Sequence, residues 1–267
     1  MKNVLLLVHD DPGQEARLQV ALDVTRAIDG HLTCVDVTPI QPLLGDGFLA
    51  NSNFAVAVLE GEGAREDNNS SRVQHRLGIE DVNWSWADAI GDAELCLLDH
   101  AELADVIIIS GDISFFLFPD TQHVAANLIR HSNKLILTVP DRQVRLDLTR
   151  GALIAWDGSS GAANALSATV PILKLASEVT LLEVDGGSIG EPAEEAAAYL
   201  SRHGVHPNID RREAGGAAAI ILARACSDQF AYLVMGGYGH HPIGEALLGG
   251  VSRELLAKSP IPLFVMR

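Results

Sequence analysis

The chain runs twice through one pattern, in which short apolar segments alternate with segments of helical periodicity. In the first half, residues 3–9 and 31–37 are predicted to form strands, and the residues between them carry apolar side chains on one helical face. A strand, a helix and a second strand in this order require a parallel crossover connection. Repetition of this unit predicts an α/β fold in which helices flank a doubly wound, Rossmann-like sheet of parallel strands.

The repetition is clearest where the two halves end. Residues 131–140 have the sequence HSNKLILTVP, and residues 258–267, at the end of the second half, have the similar sequence KSPIPLFVMR. Five strands are predicted in each half, and a charged segment without periodicity, residues 141–150, separates them. We therefore expect two tandem domains, residues 1–141 and 151–267, each with a five-stranded parallel sheet flanked by helices.

Residues 39–72 interrupt the pattern of the first domain. Proline and glycine recur between residues 39 and 63, which is typical of an irregular connection, although residues 48–59 contain a candidate short helix. The polar segment EDNNSS at residues 66–71 follows and is interpreted as mobile. The sequence therefore predicts an insertion or a long surface loop near residues 39–72.

The net charge of −16 narrows the range of partners. Nucleic acids and anionic membrane surfaces attract positively charged protein surfaces, so neither is expected as a main partner. A small anionic ligand remains compatible with this charge, because such a ligand contacts local N–H groups rather than the field of the whole protein.

Three features predict a cytoplasmic protein. The apolar run near the amino terminus has about five residues, which is shorter than the core of a signal peptide. No apolar run approaches the roughly 20 residues of a membrane-spanning helix. Cys34, Cys96 and Cys226 are far apart and form no CxxC pair, so we expect buried, reduced thiols rather than disulfides.

Glycines are concentrated in the segment LVMGGYGHHPIGEALLGGVS, residues 233–252. An apolar strand ends there at a glycine cluster, and a second glycine pair precedes the last predicted helix. Glycine-rich turns that lead into a helix bind phosphate, because backbone N–H groups point outward and the helix dipole favours negative charge. Two adjacent histidines in this loop, His240 and His241, are weak metal candidates, and we expect them to be solvated.

Two further candidate residues end neighbouring predicted strands of the second half. Ligands of open parallel sheets bind beyond the carboxyl ends of the strands, where Asp157, Val184 and the Gly236 turn would converge. Asp157 is suited to accept hydrogen bonds from a ribose or a base, and Val184 is suited to pack on a base. The chain has no GxxxxGK[ST], GxGxxG or GxSxG motif, so the sites that those motifs form are not predicted.

The second half resembles a universal stress protein (UspA-like) domain over nearly all of residues 150–267. That family carries G-x2-G-x9-G-[ST] between its fourth strand and its last helix. The matching positions are Gly236, Gly239, Gly249 and Gly250, the last of which stands where the family has Ser or Thr. The usual V-[ST] continuation matches Val251 and Ser252. Three further positions match residues at or beside the family's nucleotide site, namely Asp157, Val184 and Met235.

The resemblance implies a fold like that of the adenine nucleotide alpha hydrolases. It also implies that the nine matching residues bind ATP or a related adenine nucleotide, with or without Mg²⁺. A hydroxyl at position 250 would donate to a phosphate oxygen, a contact worth roughly 1.5–3 kcal/mol. Gly250 lacks that hydroxyl, so weaker binding is predicted.

The first half resembles the family in layout only, so that the whole chain is similar to the tandem-domain branch. Asp10 and Val37 are aligned with Asp157 and Val184. The second and third motif glycines do not follow Ser110-Gly111, and bulky residues, among them Phe115, Phe116 and Phe118, occur in that loop instead. We expect no nucleotide there, and we expect the first half to pack against the second domain or against another protomer.

Two classes of function follow from these residues. The leading hypothesis is a stress-response protein that binds an adenine nucleotide and has a regulatory role, because no set of nucleophile, base and orienting group is evident. The alternative is an interaction module without a nucleotide, in which the glycines serve only tight strand–helix packing. A weak ATPase is a third hypothesis. The family's dimerisation through the last strand, here residues 261–265, is expected either in a homodimer or as an intramolecular pairing of the two domains.

Overall fold

The computed structural model describes residues 1–38, 53–111, 123–184, 190–213, 216–237 and 250–267, and for residues 53–64 and 123 it describes the backbone alone. The strands in these ranges are β1 Asn3–Val8, β2 His31–Thr38, β3 Asn83–Ile90, β4 Val106–Ser110, β5 Leu135–Val139, β6 Gly151–Trp156, β7 Val179–Val184, β8 Asn208–Arg212, β9 Phe230–Gly236 and β10 Leu263–Met266. The helices are α1 Gln14–Ala27, α2 Asn53–Leu77, α3 Ala93–His100, α4 His123–His131, α5 Ser160–Leu173, α6 Ala193–Arg202, α7 Ala217–Ala225 and α8 Gly250–Lys258.

The ten strands form one sheet in the order β3-β2-β1-β4-β5-β10-β9-β6-β7-β8. Within each half the strands are parallel, and counted from the start of that half they follow the doubly wound order 3-2-1-4-5. The predicted tandem arrangement of five-stranded parallel sheets is confirmed. The domain limits at residues 141 and 151 stay predictions, and the segment between them contains neither helix nor strand.

The two half-sheets join through an antiparallel pair, β5 and β10. Leu137 in β5 pairs with Phe264 in β10, and the neighbouring residues pair on either side. Strand β10 is also hydrogen-bonded to β9, so both of its edges are occupied. The contact that the family resemblance assigns to the last strand is therefore intramolecular, and β10 has no free edge for a second copy.

Helices cover both faces of the sheet because each half winds its helices to both sides. One face packs against α1, α2, α5 and α6 and includes Leu6, Leu22, Ile154 and Leu166. The other packs against α3, α4, α7 and α8 and includes Leu7, Leu128, Leu153 and Leu255. The central strands are buried on both faces, which explains why their sequences are continuous apolar runs rather than alternating ones.

The prediction of an irregular, mobile segment before β3 is wrong for the residues that the structure describes. Residues 53–77 form one 25-residue helix, α2. The polar segment at residues 66–71 lies inside it, and Glu66 and Asn69 are buried together with Val73 and Leu77. Their spacing places all four on one helical face, but two of them are polar, so the apolar periodicity is lost. Residues 39–52, including part of the candidate short helix, lie outside the described residues.

Several smaller expectations need correction. The alternating residues 82–86 predict a third strand, but β3 extends to Ile90. Residues 205–210 predict a further strand, but β8, Asn208–Arg212, is shifted towards the carboxyl terminus. All three cysteines are free, but only Cys34 is buried, and Cys226 is exposed. Among the described helices, none is long and apolar enough to cross a membrane.

Candidate functional site

The strand register brings the predicted residues of the second half to one edge of the sheet. Strand β6 lies between β7 and β9, and Trp156 pairs with Glu183 while Ala155 pairs with Met235. One step further along the strands, Asp157 lies beside Val184 on one side and at the level of Gly237 on the other. These residues therefore meet at the carboxyl edge, where the strand order reverses and open α/β sheets bind ligands.

Asp157 lies in the turn that starts helix α5. Its Oδ1 accepts a hydrogen bond from the backbone N of Ser159 at 3.0 Å. Gly158 between them has φ +73°, which favours glycine. Ser159 then caps α5 by accepting a hydrogen bond from the N of Ala162 at 3.2 Å. The turn fixes the backbone at the end of β6 and leaves the Asp157 side chain exposed.

Gly236 ends β9 in close contact with the first turn of α5. A Cβ at this position would lie 2.4 Å from the backbone N of Ala162 and 2.8 Å from the backbone carbon of Gly161. A Cβ on Gly161 would in turn lie 2.9 Å from the carbonyl oxygen of Gly237. Glycine at position 236 is therefore required by strand–helix packing, whether or not a ligand binds nearby.

Gly250 is the first residue of α8 and has a different environment. It is exposed, and a Cβ added there would meet no atom of the described chain within 4 Å. Val251 is 38% exposed, and Ser252 is buried. A serine or threonine, the family's residue at position 250, would therefore displace none of the described residues.

The remaining predicted residues of the second half have varied positions. Val184 is half-buried at the end of β7, and Met235 is buried in the sheet face that packs on α7 and α8. Gly239 and Gly249 lie outside the described residues, as do the adjacent histidines of the loop and the bulky residues 115–118 of the first half.

Backbone hydrogen bonds allow the carboxyl edge of the first half to be aligned, residue by residue, with that of the second half. The N of Gly111 donates to the carbonyl oxygen of Val139, as the N of Gly237 donates to that of Met266. Ser110 therefore corresponds to Gly236. Since Leu6 pairs with Ile108 and Ala155 with Met235, Val8 corresponds to Trp156.

This alignment corrects the predicted equivalence of Asp10 with Asp157. The residue directly after β1, at the level of Asp157, is His9. Asp11 has the helix-turn role, because its Oδ1 accepts a hydrogen bond from the N of Gly13 at 2.8 Å. The connection from β1 to α1 has two more residues than the one from β6 to α5, so alignment by sequence placed the aspartate between these two positions.

Arg17 fills the first half's strand edge, and sequence reasoning missed it. Its side chain is fully buried, and it donates hydrogen bonds to the carbonyl oxygens of Leu7 and His9, each at 2.8 Å. It also donates to Asp11 Oδ1 at 2.7 Å and to Ser110 Oγ at 2.9 Å. Its position on the same helical face as Leu18 and Ala21 was the available signal, because a charge among apolar residues has to be paired when it is buried.

Helix α2 supplies further charges to this edge. Arg65 Nε lies 2.8 Å from Asp10 Oδ2, and Arg72 Nη2 lies 3.0 Å from Asp10 Oδ1. Burial disfavours the charge of Asp10, but the two guanidinium groups outweigh it and hold the pKa of this carboxyl below its usual range. The first half's edge is thus occupied by ion pairs, whereas Asp157 in the second half is exposed.

The fold and this edge define a class: a tandem, doubly wound α/β protein with a glycine-ended strand at the switch point of its second half. No protein-family model and no curated protein matches the chain. Among solved structures, the chain is similar over 99% of its length to a universal stress protein from Archaeoglobus fulgidus, with 17% identity, 96% of that chain covered and a TM-score of 0.76. A candidate universal stress protein from Pseudomonas aeruginosa matches with 17% identity, 99% and 93% coverage and a TM-score of 0.61. The chain therefore has the universal stress protein fold over its whole length, as the sequence predicted.

Proposed function

We propose that the chain is a tandem member of the universal stress protein family that binds an adenine nucleotide with its second half. The ligand is ATP or a related nucleotide, with or without Mg²⁺, and the role is regulatory rather than catalytic. One observation carries the proposal: Asp157, Val184 and the end of β9 at Gly236 meet at the switch point of the sheet.

The chemistry of these residues suits the parts of a nucleotide. The exposed Asp157 carboxylate accepts hydrogen bonds from sugar hydroxyls, and the half-buried Val184 offers an apolar surface to a base. Helix α8 begins at Gly250, so the amides of its first turn, which have no acceptor within the helix, suit phosphate oxygens. Among the described residues, none would block the approach of a phosphate to the backbone at Gly250.

The contents of the corresponding strand edge in the first half support placing the proposed nucleotide site in the second half. Arg17 and Asp11 form a buried ion pair there at 2.7 Å, and His9, at the level of Asp157, is buried against Glu66 at 2.7 Å. A nucleotide at this edge would have to displace paired, buried charges, which costs several kcal/mol per ion. The proposed stoichiometry is therefore one nucleotide per chain.

The proposal is tested by calorimetric titration of ATP, ADP and AMP into protein that has been freed of co-purified nucleotide. Asp157→Asn is expected to weaken binding about tenfold or more, because a charged hydrogen-bond acceptor is replaced by a neutral one. The matched variant Asp10→Asn removes a carboxylate from the first half and is expected to bind like the wild type. Absence of any heat at millimolar nucleotide, with a folded protein by circular dichroism, would refute nucleotide binding.

The second candidate function is an interaction module that binds no nucleotide. Gly236 favours it, because the packing of α5 is a sufficient reason for glycine at that position. In this case neither the wild type nor a variant with a restored hydroxyl at position 250 binds nucleotide. Slow ATP hydrolysis is a third proposal, and it requires turnover above that of a Gly249→Val variant.

A further inference from the structure

A buried acidic group lies under helix α2 in the first half, away from the proposed nucleotide site. Asp36, near the end of β2, is 6% exposed, and its Oδ1 accepts no hydrogen bond from the part of the chain that the structure describes. Glu66 on α2 is 3% exposed, and its Oε1 lies 2.7 Å from Nδ1 of the buried His9. Asp88, the register partner of Asp36 on β3, is exposed, and its Oδ1 accepts a hydrogen bond from Nε1 of Trp86 at 2.8 Å.

The second half has a buried acid at the equivalent position, but its register partner on the neighbouring strand is a base. Asp36 and Glu183 each precede the valine near the end of the second strand of their half, and each is buried. The register partner of Glu183 is Arg211, whose Nε donates a hydrogen bond to Glu183 Oε2 at 2.8 Å. The corresponding partner of Asp36 is Asp88, an acid, so one half pairs opposite charges where the other pairs like charges.

Helix α2 is docked over this group by a face that is half polar and half apolar. Val73 and Leu77 are buried among apolar side chains. One and two turns earlier, the buried residues are Asn69, which exchanges hydrogen bonds of 2.6 and 2.8 Å with Gln14, and Glu66. The docking of the amino-terminal part of this face therefore depends on polar contacts, which respond to charge.

We infer that helix α2 is a pH-dependent latch, which a proton on Asp36 holds against the first half and which proton loss weakens. The charged groups that act on Asp36 are the buried Glu66 and the exposed Asp67 on α2 and the exposed Asp88 on β3, and all three are acidic. Ser70 on α2 contributes a hydrogen bond to the carboxyl group. His9, which directly follows the neighbouring strand β1, faces Glu66, and on β2 itself Cys34 is the nearby titratable group.

The pKa of Asp36 gives the direction and the range of the effect. Burial, then the charges of Glu66, Asp88 and Asp67, raise this pKa from 3.8 to about 7, and undocking of α2 would return it towards 3.8. At pH values between these two pKa values, Asp36 is therefore protonated when α2 is docked and ionised when α2 is undocked. Between these two pKa values each unit of pH increase favours undocking by up to about tenfold, and the effect levels off above pH 7.

The latch is tested by amide hydrogen exchange of residues 65–77 between pH 5 and pH 8, corrected for intrinsic exchange. The opening constant of α2 is expected to rise about fiftyfold from pH 5 to pH 7 and then to level off. In Asp36→Asn, where a neutral amide replaces the acid, the profile is expected to be flat. The matched variant Glu183→Gln, in the second half, is expected to leave the pH profile of α2 unchanged.

A second variant keeps the test decisive if Asp36→Asn does not fold. Asp88→Arg places a cation opposite Asp36, as Arg211 stands opposite Glu183, and is expected to move the step to lower pH and reduce it. A flat profile in the wild type, or a step that persists in both variants, would overturn the latch. A step that appears only with added Ca²⁺ or Mn²⁺ would also overturn it in favour of a cation site, although among the described side chains no group of three acids, histidines or cysteines is placed to hold a metal.

Discussion

Restoring a hydroxyl at position 250 is the most direct way to ask whether the start of α8 binds phosphate. A Cβ at Gly250 would meet no atom of the described residues within 4 Å, so Gly250→Ser adds a donor without a clash among them. A hydrogen bond to a charged phosphate oxygen is worth about 1.5–3 kcal/mol, which corresponds to a gain in affinity of roughly 10- to 150-fold. Replacing glycine also lowers the conformational entropy of the unfolded chain, an effect worth about 0.5 kcal/mol, so Tm is expected to rise by about 1–2 °C.

Two measurements on the same protein separate these effects. Calorimetry with ATP gives the dissociation constant, and thermal unfolding without nucleotide gives the change in stability. Val251→Ser is the matched control, because it adds a hydroxyl at the next, partly exposed position and is expected to give no comparable gain in affinity. A raised Tm with an unchanged dissociation constant in Gly250→Ser would refute the reasoning, since phosphate would then not lie at this helix end.

Two further predictions concern the packing of the two strand edges. Arg17→Met leaves the buried Asp11 without its cation and is expected to lower the free energy of unfolding by about 3–5 kcal/mol in urea titrations. The control Arg76→Met, at a partly exposed ion pair, is expected to lower it by at most about 1 kcal/mol. Equal losses in the two variants would contradict the role of Arg17. Gly236→Ala forces a Cβ into the backbone of α5 and is expected to cost about 1–3 kcal/mol with or without nucleotide, whereas Gly250→Ala costs nothing by the same assay.

The central part of the fold was predictable because strands that are buried on both faces have continuous apolar sequences. Strands β4 and β5 are buried along their whole length, so each is a run of apolar residues between polar segments. The duplication then supplied the number of strands and the tandem arrangement. The antiparallel joint of β5 with β10 could be foreseen only through the family resemblance, since pairing partners far apart in the chain leave no periodic signal.

Helix α2 and the first half's strand edge were not predictable from apolar periodicity. Glu66 and Asn69 occupy inward positions that apolar residues usually fill, and their contacts with His9 and Gln14 come from a distant segment. In the sequence alone, buried polar residues on a helix cannot be distinguished from polar residues on an exposed face. In the candidate site, the sequence identified Asp157 and Val184 correctly as strand-end neighbours, because parallel strands end at one edge.

Because β5 and β10 join two halves of one chain, the two halves can differ in sequence, unlike the identical subunits of a homodimer. In a homodimer every substitution occurs twice, so a change that closes one ligand edge closes both. Here the two halves are held together at an effective concentration that does not fall on dilution. Ser110 and Arg17 can therefore occupy one edge while Gly236 is retained at the other. A single chain can in this way keep an exposed aspartate at the end of one strand edge while the other edge is occupied by internal ion pairs.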